Sequence, residues 1–313
     1  MIEYLKKIND LPLVTGFEGL FIDRFVSMIN RDFKVSMEKS GLNLVHLSST
    51  KSNIVFLAHY DEIGFVVDNR YARDIYRTIP MGLISPENGY GKVFQTLYND
   101  RKIMAVGSSP MPHTDSSERR LFLEILEEVD LPPLWPFTFE NRVILSGDKL
   151  FSRALDNRAN VILLLELARE YDINFILTHG EEQGTTRLEE TIRYVKSRIH
   201  NPNFIVLDVI YSTSDQHADS IGIDENKLGY IPIEGGGRGN MAPENLQELA
   251  RKVADTKIET RSKYEVTDAT TLYRMGERAI SIVYGVRYLH SSLECINLNT
   301  YKYAKESILK LLI

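Results

Sequence analysis

At 313 residues the chain is long for a single core, so one large domain, or one domain carrying a smaller insert, is expected. Its 43% hydrophobic and 26% charged residues are ordinary for a globular protein, and a formal net charge of -6 with no long basic run excludes the electrostatic footprint of a nucleic-acid binder. The one cysteine, Cys295, excludes an intrachain disulfide and fits a reducing, cytoplasmic setting.

The opening segment MIEYLKKINDLPL carries acids throughout and has no apolar core of signal-peptide length, so no export signal is expected. IEYLKKIND and GLFIDRFVSMINRDF then show apolar residues at helical spacing, with the turn TGFEG between them. KVSMEKSGLNLVHLSS reads as a hairpin turning near Ser40 and Gly41. NIVFLAH follows, a short and nearly continuous apolar run, and INFILTH, NFIVLDVI and RAISIVYG repeat the type. Such runs suit strands buried on both faces of a sheet. Helical patterns lie between them: NRANVILLLELAREY, TRLEETIRYVKSRI and PENLQELARKVADT. The alternation predicts an α/β layered domain with a largely parallel sheet. No apolar stretch reaches bilayer length, because Glu166 breaks VILLLELA, and no membrane contact is expected.

The rhythm breaks between about Asn69 and Leu150. Short β-like runs, KVFQTLY, KIMAVG and RVILSG, surround one helical pattern, SERRLFLEILEEV, and the proline cluster LPPLWPF. This span is expected to form a small β-rich domain, residues 69–149, inserted into a discontinuous α/β domain of residues 1–68 and 150–313.

Several acids and histidines follow separate apolar elements. His59 ends NIVFLAH, and Asp61 stands two residues on. Asp156 precedes NVILLLELA, Glu181 and Glu182 follow INFILTHG, Asp208 closes NFIVLD, and His290 follows AISIVYG. In open α/β sheets, sites form outside the carboxyl ends of the strands. Taken singly, each residue has a plainer explanation: Asp156 as a helix cap, the adjacent glutamates as solvated loop charges, Asp208 as part of a turn. Together, two imidazoles and several carboxylates make a ligand set for divalent zinc, cobalt or manganese. Two such ions about 3.5–4 Å apart need a shared carboxylate. Asp61 is placed to orient the His59 imidazole from behind. His46, His113, His179, His200 and His217 are left outside the set. EGGGRGN lacks the Lys-Ser/Thr of a phosphate loop and the dinucleotide spacing, and nothing near Cys295 would activate its thiol. A glycosidase pair at Glu181 and Glu182 fits poorly, since its carboxylates must flank the bond about 5–9 Å apart.

The motifs LAHYDEIGFVV, ALDNRA, GEEQG, LDV and RYLHSSLE, in this order, resemble those of the tetrahedral-aminopeptidase family of di-metal peptidases, whose members are often labelled endoglucanases. VTDATTL resembles a further Thr-Asp-Ala segment of that family. Asn157 stands where the family usually has a second aspartate, and Gln183-Gly184-Thr185-Thr186 replaces its usual Val-Gly and glycine-rich turn. The resemblance implies a three-layer α/β/α catalytic domain with a central mixed sheet and a barrel-like, dimerising insert. It implies two metal ions per chain, one on His59 and Asp208, the other on Glu182 and His290, with Asp156 between them and Glu181 as general base. It also implies a peptide substrate, removal of N-terminal residues, and a large homo-oligomer, commonly a dodecamer. A di-metal amidohydrolase acting on N-acylated small molecules is the alternative that the same residues allow.

Overall fold

The computed structural model describes residues 1–109, 120–214, 222–234, 240–258 and 267–312. An eight-stranded mixed sheet forms the centre of the larger part. Its four middle strands, Asn174–Thr178, Ile54–His59, Asn203–Tyr211 and Ala279–Val286, are mutually parallel and correspond to the four apolar runs. The hairpin Glu38–Ser40 and Asn43–His46 extends one side antiparallel, with Gly41 in its turn at φ 64°. Leu228–Ile231 adds antiparallel to Ala279–Val286 on the other side, and Thr256–Lys257 closes that edge.

Alternation along the parallel strands sends successive side chains to opposite faces. Phe56, Ala58, Ile205 and Leu207 enter the larger core, while Val55, Leu57, Phe204 and Val206 enter the smaller one. The helix Leu155–Ala168 packs in the larger core and is buried along nearly its whole surface, which is why its sequence is apolar all round rather than amphipathic. Glu189–Lys196 and Asp268–Arg274 pack against the opposite face through Ile192, Val195, Ala269 and Leu272. The result is an α/β/α sandwich. Burial of both sheet faces explains the continuous apolar runs.

A closed six-stranded antiparallel barrel interrupts this domain. Around the barrel the strands run Gly64–Arg70, Ile75–Met81, Phe122–Ile125, Arg101–Ser108, Val93–Tyr98 and Pro136–Phe139. Its interior is filled by Phe65, Val67, Phe94, Ile103, Leu123, Phe137 and Phe139, among others. The expected helix SERRLFLEILEEV is not formed where it is described: Phe122–Ile125 is a barrel strand. Leu121, Leu123 and Ile125 are buried while Glu124 is exposed, so the period is two, and the barrel interior selects it over helical spacing. Val143–Ser146, in RVILSG, lies outside the barrel and pairs with Lys149–Ser152, which in turn pairs with Glu294–Asn297. The closing helix Leu298–Leu309, absent from the sequence expectations above, is capped by the Asn297 side chain, which accepts the Asn299 N–H at 2.8 Å. No described helix is long and apolar enough to cross a membrane.

Candidate metal centre

The parallel register sets the site. His59 pairs with Thr178 across one strand boundary, and Leu57 pairs with Val206 across the other, so Asp208 lies level with His59. Asp156 sits in a non-helical turn (φ -77°, ψ 107°) at the head of Leu155–Ala168, joined to Asn157 by a cis peptide. It does not cap that helix. Asn157 turns away from the cluster and donates to the Leu207 carbonyl at 2.7 Å.

These turns bring the seven residues together. His59 Nε2 lies 3.0 Å from Asp156 Oδ1, 3.8 Å from Asp208 Oδ1 and 3.7 Å from Glu181 Oε2. His290 Nε2 lies 3.5 Å from Asp156 Oδ2 and 3.2 Å from Glu182 Oε2. The two oxygens of Asp156 therefore face two different imidazoles. Asp61, fully buried, stands behind the cluster: its carboxylate accepts the Glu181 N–H at 3.3 Å and the Glu182 N–H at 3.2 Å. Its Oδ1 is also 3.5 Å from His59 Nδ1, an ionic approach without hydrogen-bond geometry, and among the described residues that nitrogen has no hydrogen-bond partner. The His290 Nδ1 faces the Leu83 carbonyl at 3.1 Å. A carbonyl can only accept, so Nδ1 carries a proton there, and on losing its second proton the ring would turn the Nε2 lone pair to the cluster.

Electrostatics follow from burial. Burial works to lower the His59 pKa, but Glu181, Asp156 and Asp61 outweigh it and raise it well above the usual imidazole value. His290 behaves alike: burial lowers its pKa, and Glu182 and Asp156 raise it further than burial lowers it. Burial, reinforced by neighbouring carboxylates, pushes Glu181 and Asp208 well up. Burial also raises Glu182, against the pull of His290. Asp156 is driven the other way: burial would raise it, but the two histidines that bond it lower it.

Four carboxylates and two imidazoles converging in a buried space are costly without cations. The donor set, nitrogen and oxygen only, suits divalent zinc, cobalt or manganese. His59, Asp156 and Glu182 already present ligand atoms within 4.8 Å of one another. The residues present therefore fit such ions.

Three further buried acids support the cluster and were not singled out from the sequence. Glu18 accepts the Gly180 N–H at 3.1 Å. Asp268, in the Thr-Asp-Ala segment, accepts the hydroxyls of Thr178 and Thr186. Glu294, in RYLHSSLE, accepts two backbone N–H groups of the site. The donors to Glu18 and Asp268 lie 82 to 162 residues away in sequence, and Asp156 lies 138 residues from Glu294, separations that no local pattern displays.

Of the other histidines, His46 bonds the Ser36 carbonyl and His200 the Asn201 amide, and His179 borders Glu18. His113, His217, residues 235–239 of the glycine-rich segment and Val266 lie outside the described residues. Burial raises the Cys295 thiol, against a nucleophilic role.

Known proteins share both sequence and fold with this chain. The M42 glutamyl aminopeptidase profile matches residues 41–306. The lysyl aminopeptidase of Pyrococcus furiosus is 25% identical, the alignment covering 97% of this chain and 95% of that protein. An aminopeptidase structure from the archaeon Desulfurococcus kamchatkensis superposes with a TM-score of 0.78 at 22% identity, covering 98% of this chain and 92% of its own. The Pyrococcus horikoshii TET1 peptidase, described as assembling into a tetrahedron or a large octahedral shell, gives a TM-score of 0.77 at 19% identity, covering 100% and 99%. The chain belongs to the M42 glutamyl aminopeptidase family and is a peptide-bond hydrolase.

Proposed function

We propose that the protein is a di-metal aminopeptidase that removes N-terminal residues from peptides. The observation that carries this reading is Asp156, whose Oδ1 faces His59 at 3.0 Å and whose Oδ2 faces His290 at 3.5 Å. One carboxylate is thereby shared between two ligand sets: His59 with Asp208, and His290 with Glu182. Divalent cations bound here, zinc foremost with cobalt and manganese as alternatives, supply Lewis acidity, acidifying water and polarising a carbonyl.

The chain's own residues do the rest. Glu181, its carboxylate beside His59 but outside both ligand sets, takes a proton from the attacking water as the new C–O bond forms. It returns that proton to the amine nitrogen as the C–N bond breaks, acting first as general base and then as general acid. Burial raises its pKa above the ordinary carboxylate value, which strengthens it as a proton acceptor. Asp61 fixes the backbone of Glu181 and Glu182, so base and ligand keep one spacing. Action at N-termini is drawn from the family and from the aminopeptidases this chain resembles.

The same metal set would serve a deacylase. Hydrolysis of aminoacyl-chromogenic substrates but not of N-acyl counterparts, restored to a metal-stripped protein by zinc, cobalt or manganese, is the expected result. Preference for the N-acyl panel would overturn the peptidase assignment. Residues 69–149 are proposed to dimerise, and the assemblies described for TET1, a dodecamer among them, favour a closed homo-oligomer, which we place in the cytoplasm.

A further inference from the structure

Asp156 and His290 come from distant parts of the chain, yet one side chain holds both. Glu294 is buried, 2% exposed. Its Oε1 accepts the His290 backbone N–H at 2.9 Å, and its Oε2 accepts the Asp156 backbone N–H at 3.0 Å. It opens the strand Glu294–Asn297 opposite Ser152, the last residue of Lys149–Ser152, so strand pairing carries it to the start of the Asp156 loop. Among the described residues, no lysine or arginine pairs with it at ion-pair distance. A buried carboxylate that commits both oxygens to backbone amides is strongly hydrogen-bonded, and what it holds is the spacing of two loops. At His290 that hold has work to do, because the backbone is left-handed (φ 59°), a conformation that a non-glycine residue keeps only when its surroundings impose it.

We infer that Glu294 is a positioning residue that sets the distance between Asp156 and His290, holding one ligand pair in register with the shared carboxylate. The inference rests on the two-metal reading. A glutamine at this position would fill the same volume but offer one acceptor, and its amide hydrogens would meet the second backbone N–H. An aspartate would keep both carboxyl oxygens and lose the reach.

The test is cobalt titration of metal-stripped, full-length wild type, Glu294→Gln and Glu294→Asp, followed by calorimetry and by the visible spectrum of the bound ion. Thermal melting of each metal-free protein reports folding. Both variants are expected to bind cobalt about 10–100-fold more weakly at one site or more, the scale for groups that orient ligands, and to change the cobalt spectrum. A folded Glu294→Gln with wild-type affinity and spectrum would overturn the inference. So would an unaltered Glu294→Asp beside a weakened Glu294→Gln, since the carboxyl group rather than its reach would then be what matters. Should Glu294→Gln fail to fold, Glu294→Asp decides; if neither folds, the residue is a folding determinant and the positioning role is wrong. Wild type that takes up no cobalt would instead reject the two-metal reading.

Discussion

Glu181 and Glu182 are neighbours with different surroundings. Glu182 lies against His290, while Glu181 approaches His59 and, among the described residues, no other imidazole. Gly180, at φ 75°, turns the chain out of the strand, and three successive N–H groups then donate to buried acids: Gly180 to Glu18, and Glu181 and Glu182 to Asp61. A side chain at residue 180 would meet Thr185 Oγ1 at 3.0 Å as well as the wrong backbone region, so glycine is required. The proposed division of labour predicts that Glu181→Gln keeps its metal content by elemental analysis while kcat falls roughly 10²-fold or more, the contribution of a general base. A metal-free or nearly fully active variant would reassign the base. The cluster residues were legible because most of them close or follow an apolar run and Asp156 opens one, and sites form where such runs end. Glu18, Asp268 and Glu294 were not, because an acid that accepts from backbone amides or hydroxyls of another segment leaves no periodic trace.

At the scale of elements, the join between barrel and sandwich depends on a buried charge network. Glu62 pairs with Arg158 at 2.7 Å and with Arg153, and it accepts from the Thr138 hydroxyl on a barrel strand at 2.8 Å. Arg153 and Arg158 flank Asp156 in sequence, and both are almost wholly buried. Two guanidiniums on one carboxylate are tolerable only while that carboxylate remains. Glu62→Gln is therefore expected to cost roughly 3–5 kcal/mol, as when one partner of a buried pair is removed, read as a fall in the denaturant midpoint. A change below about 1 kcal/mol would show that the pair behaves like a surface contact. Elements with both faces buried were easy to read from sequence. The barrel strand Phe122–Ile125 was misread because LFLEIL satisfies two periods over so short a span, and only closure of the barrel chooses between them.

Across the whole molecule, the cluster links stability to metal and to pH. Without cations, the surrounding carboxylates raise His59 and His290 well above the usual imidazole value and so favour their protonated forms, and burial raises Glu181 and Asp208 as well. Bound metal requires neutral imidazole and ionised carboxylate, so binding releases protons. Protons compete most strongly at low pH; metal affinity should therefore rise as pH rises through the neutral range and level off above the raised pKa values. Because ligand bound only to the folded state stabilises it by mass action, about 2.7 kcal/mol at a hundredfold excess over Kd, the Tm difference between metal-loaded and chelated protein should widen over the same interval. A difference independent of pH would place the metal on other residues.

The Leu83 carbonyl that meets His290 Nδ1 belongs to the segment between barrel strands Ile75–Met81 and Val93–Tyr98. The barrel is thus not a detachable appendage. A shortened chain, with residues 69–149 replaced by a tight linker, would retain all seven cluster side chains yet free one imidazole to rotate or exchange tautomers. A change in the barrel near Leu83 would therefore reach the centre through the His290 ring.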